Sequence, residues 1–390
     1  LTHFGKNGKI GNDGKLEKEV SMVPENPFTP TFGEVPLYMA GRKVLLDSFV
    51  RAFDRQGRAP ELTTLVSGAR GTGKTALLTR IAEEAQAHGW VCANTTAVVG
   101  MLDDIVAQAT DAASSLVNTP GSERHLTGIG IGQLVSLDWK ESDSSPATWR
   151  QTMGKLVDSL APYGSGLLIT VDEVRPDLDE MVYLSAIYQH FVREHKRVAL
   201  VMAGLPFNIS SLLQDKTVSF LRRAQHQYLG RLPDFEIREA LQKTVASSSR
   251  LIGCEALDHA VTAISGSPFM LQLVGYRMWD QHPESPTISL EDAVHGAHIA
   301  SDEMRDRVLE STYRELSDGD LAFLRAMLPD RGDSSIRDIA ERLGKSSAYT
   351  NTYRRRLLEQ GVIGERRRGI VGFDLPAFKE FLEEKGEKEG

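Results

Sequence analysis

The residues best suited to chemistry in this chain are Gly68-Ala69-Arg70-Gly71-Thr72-Gly73-Lys74-Thr75. They fit G-x-x-x-x-G-K-[S/T], the pattern of a loop that wraps a phosphate chain. Glycines let the backbone take conformations closed to other residues and come close to an anion. The loop amides and the start of the next helix, as far as Ala76, would aim donors and a positive dipole end at it. Lys74 then suits the β- and γ-phosphates of a nucleoside triphosphate, and the Thr75 hydroxyl suits Mg2+. A second set follows downstream. The apolar run Gly166–Val171 ends in Asp172 and Glu173. Asp172 fits Mg2+, directly or through water, and Glu173 fits a base that orients or deprotonates an attacking water.

Such residues work only if a strand leads into the glycine loop and a helix leads out. Leu62–Ser67 is short and β-prone, and Ala76–Ala85 has apolar residues at helical spacing. The same alternation continues, with strands expected at Trp90–Thr96, Gly166–Asp172, Arg197–Gly204 and Gln227–Leu232. Alternating strands and helices predict an α/β domain with a buried parallel sheet. Residues 117–148, with Gly128-Ile129-Gly130-Ile131-Gly132 and a polar run ending at Pro146, interrupt the pattern and read as a hairpin or loop insertion. From Pro233 the pattern is helical to about Glu315, and from Ser317 it becomes three helices and a short hairpin. The expected division is a tail over 1–26, an α/β core over 27–232, a helical domain over 233–315 and a third domain over 316–390.

Composition narrows the classes. A net charge of −8 over 390 residues excludes a basic coat protein, so any nucleic-acid contact must be a local patch. Two cysteines, Cys92 and Cys254, make neither a metal spacing nor a disulfide framework, which points to a reducing, cytoplasmic setting. No run has the length of a membrane span and no signal peptide is visible. The chain begins at Leu1, which leaves the native N-terminus open, and the Gly-, Lys- and Asn-rich opening reads as a mobile tail or an appended segment. ATP is favoured over GTP, because no N-K-x-D or T-K-x-D segment is present for guanine.

Together these motifs resemble the AAA+ and STAND-type ATPases, above all the archaeal-type ATPases and origin-recognition initiators. Three further places match. Pro36-Leu37-Tyr38-Met39-Ala40-Gly41-Arg42 resembles the box that packs beside adenine, which implies a nucleotide contact for Arg42. Phe220-Leu221-Arg222-Arg223 stands where these families carry an arginine finger, which implies that Arg222 or Arg223 acts in trans on a self-associated partner. Gly266-Ser267-Pro268-Phe269 resembles the G-x-P motif that closes over the nucleotide, which implies a contact for Pro268. The resemblance implies a P-loop NTPase core around a central parallel sheet, then a small helical lid. Two departures stand out. The fourth strand ends without a polar sensor, leaving Asn208 four residues on, and the lid lacks its usual sensor arginine, leaving Arg277 near the G-x-P match.

Residues 317–375 read as a winged helix-turn-helix. Ile336, Ile339, Ala340 and Leu343 make an apolar stripe, Gly344-Lys345 a turn, and Gly361 ends a helix that starts at Ser346 or Ser347. Lys345–Arg368 holds seven basic and two acidic residues, +5 in an acidic chain. Ser347, Asn351 and Thr352 are the types that reach base edges from the start of a recognition helix. Arg354, Arg355, Arg366, Arg367 and Arg368 would take backbone phosphates, while Arg356 falls toward the inside, between Tyr353 and Leu357. The resulting expectation is an ATP-driven switch that binds duplex DNA. The alternatives are a signalling switch whose third domain docks protein, and a regulator with a degenerate nucleotide site.

Overall fold

A computed structural model describes residues 25–31, 33–55, 58–117 and 146–389. Its centre is a five-stranded parallel sheet of β1 (Thr63–Gly68), β2 (Val91–Thr96), β3 (Leu167–Asp172), β4 (Val198–Gly204) and β5 (Gln225–Leu229), in the order β2-β3-β4-β1-β5. The helices of this part are α1 (Lys43–Asp54), α2 (Lys74–Ala87), α3 (Met101–Val117), α4 (Pro146–Leu160), α5 (Asp179–Arg193) and the short α6 (Pro206–Leu212). Strand periodicity sorts the side chains. Leu167, Ile169 and Val171 of β3, with Leu200 and Met202 of β4, join the core under α3–α5. Leu168, Ala199, Val201 and Ala203 join the core under α1 and α2. Both faces are covered, which is why these strands are apolar throughout rather than alternating.

The expected strands all form, most within one residue of their predicted ends. β5 is the exception: it starts at Gln225 and stops at Leu229 instead of running to Leu232. The reason lies next door. Gly68 is the last β1 residue and pairs with Leu229, so the ladder ends where β1 turns into the glycine loop. The Leu232 amide donates instead to Gly266 O (2.8 Å). Of the expected insertion, residues 118–145 lie outside the described residues, and Pro146 begins α4.

The helical part comprises α7 (Asp234–Ser247), α8 (Cys254–Ile264), α9 (Pro268–Trp279) and α10 (Leu290–Met304), with two short paired strands, β6 (Leu251–Ile252) and β7 (Thr287–Ile288). Residues 25–31 belong to it by packing. Asn26 Nδ2 donates to Tyr276 O (3.0 Å) and Asp280 Oδ1 (2.8 Å). The buried Phe28 ring lies so close to Gly275 that a Cβ there would come within 2.3 Å of it. Of the expected tail, residues 1–24 lie outside the described residues, while Asn26 is anchored on α9.

A π-helical turn, Arg305–Leu309, carries α10 into α11 (Glu310–Glu315). Beyond it lie α12 (Asp318–Met327), β8 (Ser334–Ser335), α13 (Ile336–Leu343), α14 (Ser347–Glu359), a hairpin of β9 (Ile363–Arg367) and β10 (Ile370–Phe373), and α15 (Phe378–Glu389). β8 pairs with β10, giving a three-stranded sheet. The Ser346 hydroxyl accepts from the Tyr349 amide and fixes the start of α14, and Gly344 and Gly361 take left-handed conformations at the two expected turns. β8 and α15 were not read from the sequence. Phe378, Phe381 and Leu382 of α15 are buried in a core continuous with that of α7–α10, so the expected boundary near residue 315 is a turn in the chain rather than a gap in packing. Among the described residues no helix is long and apolar enough to cross a membrane.

Candidate functional site

The strand order brings the two motifs together. β1 and β3 flank β4, so the loop after β1 and the acidic pair after β3 meet at the carboxyl ends of the strands, where open α/β sheets bind ligands. The Thr75 hydroxyl donates to Asp172 Oδ2 at 2.5 Å. Gly71 and Gly73 hold φ of 75° and 82°, which favour glycine. Gly68 is needed for space, since a Cβ there would lie 2.6 Å from Thr72 Oγ1 and 2.8 Å from Leu229 O. Lys74 is only 6% exposed, and its ammonium donates to Gly68 O (3.0 Å) and Ala69 O (2.9 Å). Burial pushes it below the ordinary lysine range, against the pull of Glu173 and Asp172.

Glu173 stands at φ 51°, in the left-handed region that non-glycine residues rarely occupy. Three contacts impose this. Its amide donates to Asp172 Oδ1 (2.8 Å), the Val174 amide donates to Ala203 O (2.9 Å), and Asn208 Nδ2 donates to Val174 O (3.0 Å). Asn208 therefore braces the acidic turn through the backbone.

A pocket of about 550 Å³ opens beside the loop, lined by Arg70–Ala76, Glu173, Arg42 and Pro268. Gly68 and Ala69 do not line it; their carbonyls accept from Lys74. The start of α9 covers the loop: a Cβ on Gly71 would sit 3.7 Å from Phe269 Cβ, and one on Gly73 4.0 Å from Pro268 Cβ. The opposite wall is formed by residues within 29–31 and 33–42, tied to α9 where Gln272 Oε1 accepts from the Thr29 amide (3.1 Å). Burial lowers the Arg42 guanidinium, partly offset by Glu236. Its Nη2 and the Thr29 hydroxyl are buried with no hydrogen-bond partner among the described residues.

Arg277 does not line this pocket. It is ion-paired with Glu303 and lies over the Tyr276 ring. The arginine after α10 that does line it is Arg307, on the π-helical turn, held by Glu303 at 3.3 Å. Sequence reasoning missed it, although Glu303 and Arg307 stand at i, i+4. Arg222 and Arg223 are exposed on the turn Ser219–Arg223, outside the pocket, with Arg222 Nε donating to Leu213 O (2.9 Å).

In the C-terminal module Ser347, Asn351 and Thr352 are exposed on the first turns of α14. The five arginines divide. Arg354 pairs with Glu365 (2.6 Å). Arg366 pairs with Asp374 (2.6 Å) and Asp333 (3.4 Å). Arg355 is exposed and 3.8 Å from Glu359. Arg367 and Arg368 are exposed at the hairpin tip without an ion pair among the described residues. Arg356 reaches the buried Asp320 (3.0 Å), clamping α14 to the start of α12.

Comparisons with known proteins bear on fold. A family model described as a domain of unknown function (DUF8462) matches residues 306–382, from the π-helical turn into α15. No curated protein matches. The ORC2 protein of Aeropyrum pernix, solved in ADPNP-ADP complexes, is 12% identical, with a TM-score of 0.58 over 93% of this chain and 98% of that one. A Walker-type ATPase of Pyrococcus abyssi is 14% identical, with a TM-score of 0.62 over 88% of this chain and 96% of that one. This chain therefore has the fold of the ORC-like P-loop ATPases that its motifs resemble.

Proposed function

We propose that this protein is an AAA+-type switch that binds and hydrolyses ATP and grips duplex DNA with its C-terminal module, a winged helix. The observation that carries the nucleotide reading is the 2.5 Å contact between Thr75 and Asp172 beside the buried Lys74, since it unites residues from two distant motifs. Lys74 exchanges the Gly68 and Ala69 carbonyls for phosphate oxygens, while the amides of Arg70–Ala76 hold the chain of phosphates. Thr75 and Asp172 offer the oxygen-only donors that Mg2+ prefers, and the bound ion would neutralise phosphate charge. Glu173, fixed by its braced backbone, accepts a proton from the attacking water. Arg42 and the pocket wall before it, residues 33–41, face the base, and Pro268 closes the lid. Arg307 adds positive charge from the lid. Arg222 or Arg223 reaches the γ-phosphate of a second copy, which requires self-association.

The DNA reading rests on the exposed start of α14 and on Arg367 and Arg368, which have no ion pair among the described residues. The pairing of Arg354 and Arg366 favours a second reading, in which the module docks protein. Steady-state ATP hydrolysis by the purified chain, with and without duplex DNA and with Lys74→Ala as blank, tests both. Turnover raised by DNA supports the first. Turnover indifferent to DNA favours the second, and no turnover above the blank removes the ATPase.

A further inference from the structure

The glycine loop has two sides. One faces the nucleotide pocket. The other, through Arg70, Gly71 and Thr72, faces a separate cleft of about 640 Å³ between the α/β core and the C-terminal module. Three arginines meet in this cleft from three parts of the chain. Arg70 comes from the loop itself, Arg231 from the link between β5 and α7, and Arg331 from the link between α12 and β8. All three are exposed, and none has an ion pair among the described residues. Arg366 lines the same cleft but is already held by Asp374 and Asp333; Lys379 and Glu380 complete the charged lining, which makes five basic side chains against three acidic ones. Like charges drawn to one concave surface repel, and an anion in the cleft relieves that repulsion.

Two further observations point to the kind of anion. Tyr228 on β5 lines the cleft and is 62% exposed, so an aromatic ring stands among the arginines. In a duplex the bases are stacked away from such a surface, so the ring and the cations would meet the sugar–phosphate backbone, which both arginine and tyrosine side chains contact. The cleft also lies beside the β9–β10 hairpin, whose tip carries Arg367 and Arg368. Its position is fixed by packing. A Cβ on Gly361, at the end of α14, would come 3.0 Å from Leu205 and 3.4 Å from Arg70 Cγ. One on Gly266 would come 2.9 Å from Arg231 Cβ.

We propose that this cleft holds backbone phosphates of DNA on Arg70, Arg231 and Arg331, so that the duplex is gripped by the ATPase core as well as by the C-terminal module. The inference rests on the DNA reading above and adds a site to it. Because Arg70 belongs to the glycine loop, a strand seated there touches the element that holds the nucleotide.

The test is binding of the full chain to a fluorescein-labelled mixed-sequence duplex, followed by anisotropy across a salt series. Arg231→Ala/Arg331→Ala is compared with Arg367→Ala/Arg368→Ala. Removing two phosphate contacts should lower the slope of log K against log salt by about 2 and weaken binding at least about tenfold at 0.1 M salt. The charge-keeping variant Arg231→Lys/Arg331→Lys should recover most of the affinity, and fluorescent ATP-analogue affinity should match wild type in both. If Arg367→Ala/Arg368→Ala weakens binding while Arg231→Ala/Arg331→Ala changes neither affinity nor slope, the cleft is overturned and the DNA reading stands. If Arg231→Ala/Arg331→Ala lowers only the affinity for tripolyphosphate, the cleft takes free phosphates and the inference is likewise overturned. A wild-type chain that fails to bind the duplex at low salt removes both.

Discussion

The nucleotide pocket and the C-terminal basic face are built from equally conspicuous runs of residues, yet the fold treats them differently. In the pocket the predicted side chains converge: Lys74, Thr75, Asp172 and Glu173 meet where two strand ends flank β4. On the basic face they disperse, with Arg354 and Arg366 bound to carboxylates and Arg356 turned to Asp320. The difference is one of control. The loop is dictated by the backbone, through glycines at positive φ and a helix that must begin at Lys74. An arginine has a long, flexible stem, and any carboxylate brought near by folding can take it.

The sharpest way to break the comparison is to attack the converging side. Lys74→Ala should abolish measurable ATP binding. Glu173→Gln should retain binding and lower turnover by about 10²–10⁴-fold, the usual contribution of a general base. Isothermal titration for the first and phosphate release for the second are the measurements. Turnover close to wild type in Glu173→Gln would remove the base assignment and weaken the claim that this pocket is assembled for catalysis.

The pocket is itself not uniform. Its loop and acidic strand were legible because their chemistry is local: six to eight consecutive residues specify each one. Arg307 was not, because its place depends on the π-helical turn Arg305–Leu309 and on Glu303, which also holds Arg277 away. Nor was the anchoring of Asn26 and Phe28 on α9, which joins residues some 250 positions apart in the chain. The sheet was readable from alternation, whereas the end of β5 was set by its neighbour. Thus Arg307→Ala should lower ATP affinity or turnover about ten- to a hundredfold, as expected on losing a charged hydrogen bond. Arg277→Ala should leave both within about twofold, since Arg277 does not line the pocket. The reverse ranking would restore Arg277 as the lid arginine.

On the dispersed side, Arg367→Ala/Arg368→Ala should weaken duplex binding about tenfold and leave the melting temperature unchanged. Arg366→Ala should do the opposite. It strands the nearly buried Asp374 carboxylate, at a cost of about 1–3 kcal/mol. A thermal melt beside the anisotropy titration separates the two. Equal effects of both variants on DNA would mean that the ion-paired arginines open to phosphate, and that this face is as convergent as the pocket once its ligand is present.

The smallest effect concerns the helix that links the two regions. α10 starts at a capping box in which the Ser289 amide and hydroxyl reach Asp292 Oδ2 (2.8 and 2.9 Å), and His282 Nδ1 lies 2.5 Å from Asp292 Oδ1. Burial alone would raise the Asp292 carboxyl; the Ser289 amide, His282 and the Ser289 hydroxyl outweigh it and hold the group below the usual carboxylate range. A depressed carboxylate contributes stability that is fully present above its unfolded value near 3.8 and is lost as pH falls through the lower folded value. Asp292→Asn should therefore cost about 1 kcal/mol at neutral pH, and the cost should shrink as pH falls below 3.8, read by denaturant titration at neutral and at acid pH. Because α10 ends at the turn that bears Arg307, the same substitution should also loosen ATP binding slightly without changing the salt dependence on DNA. A cost that persists undiminished at low pH would assign the loss to packing around α10 and detach this cap from the carboxylate's charge.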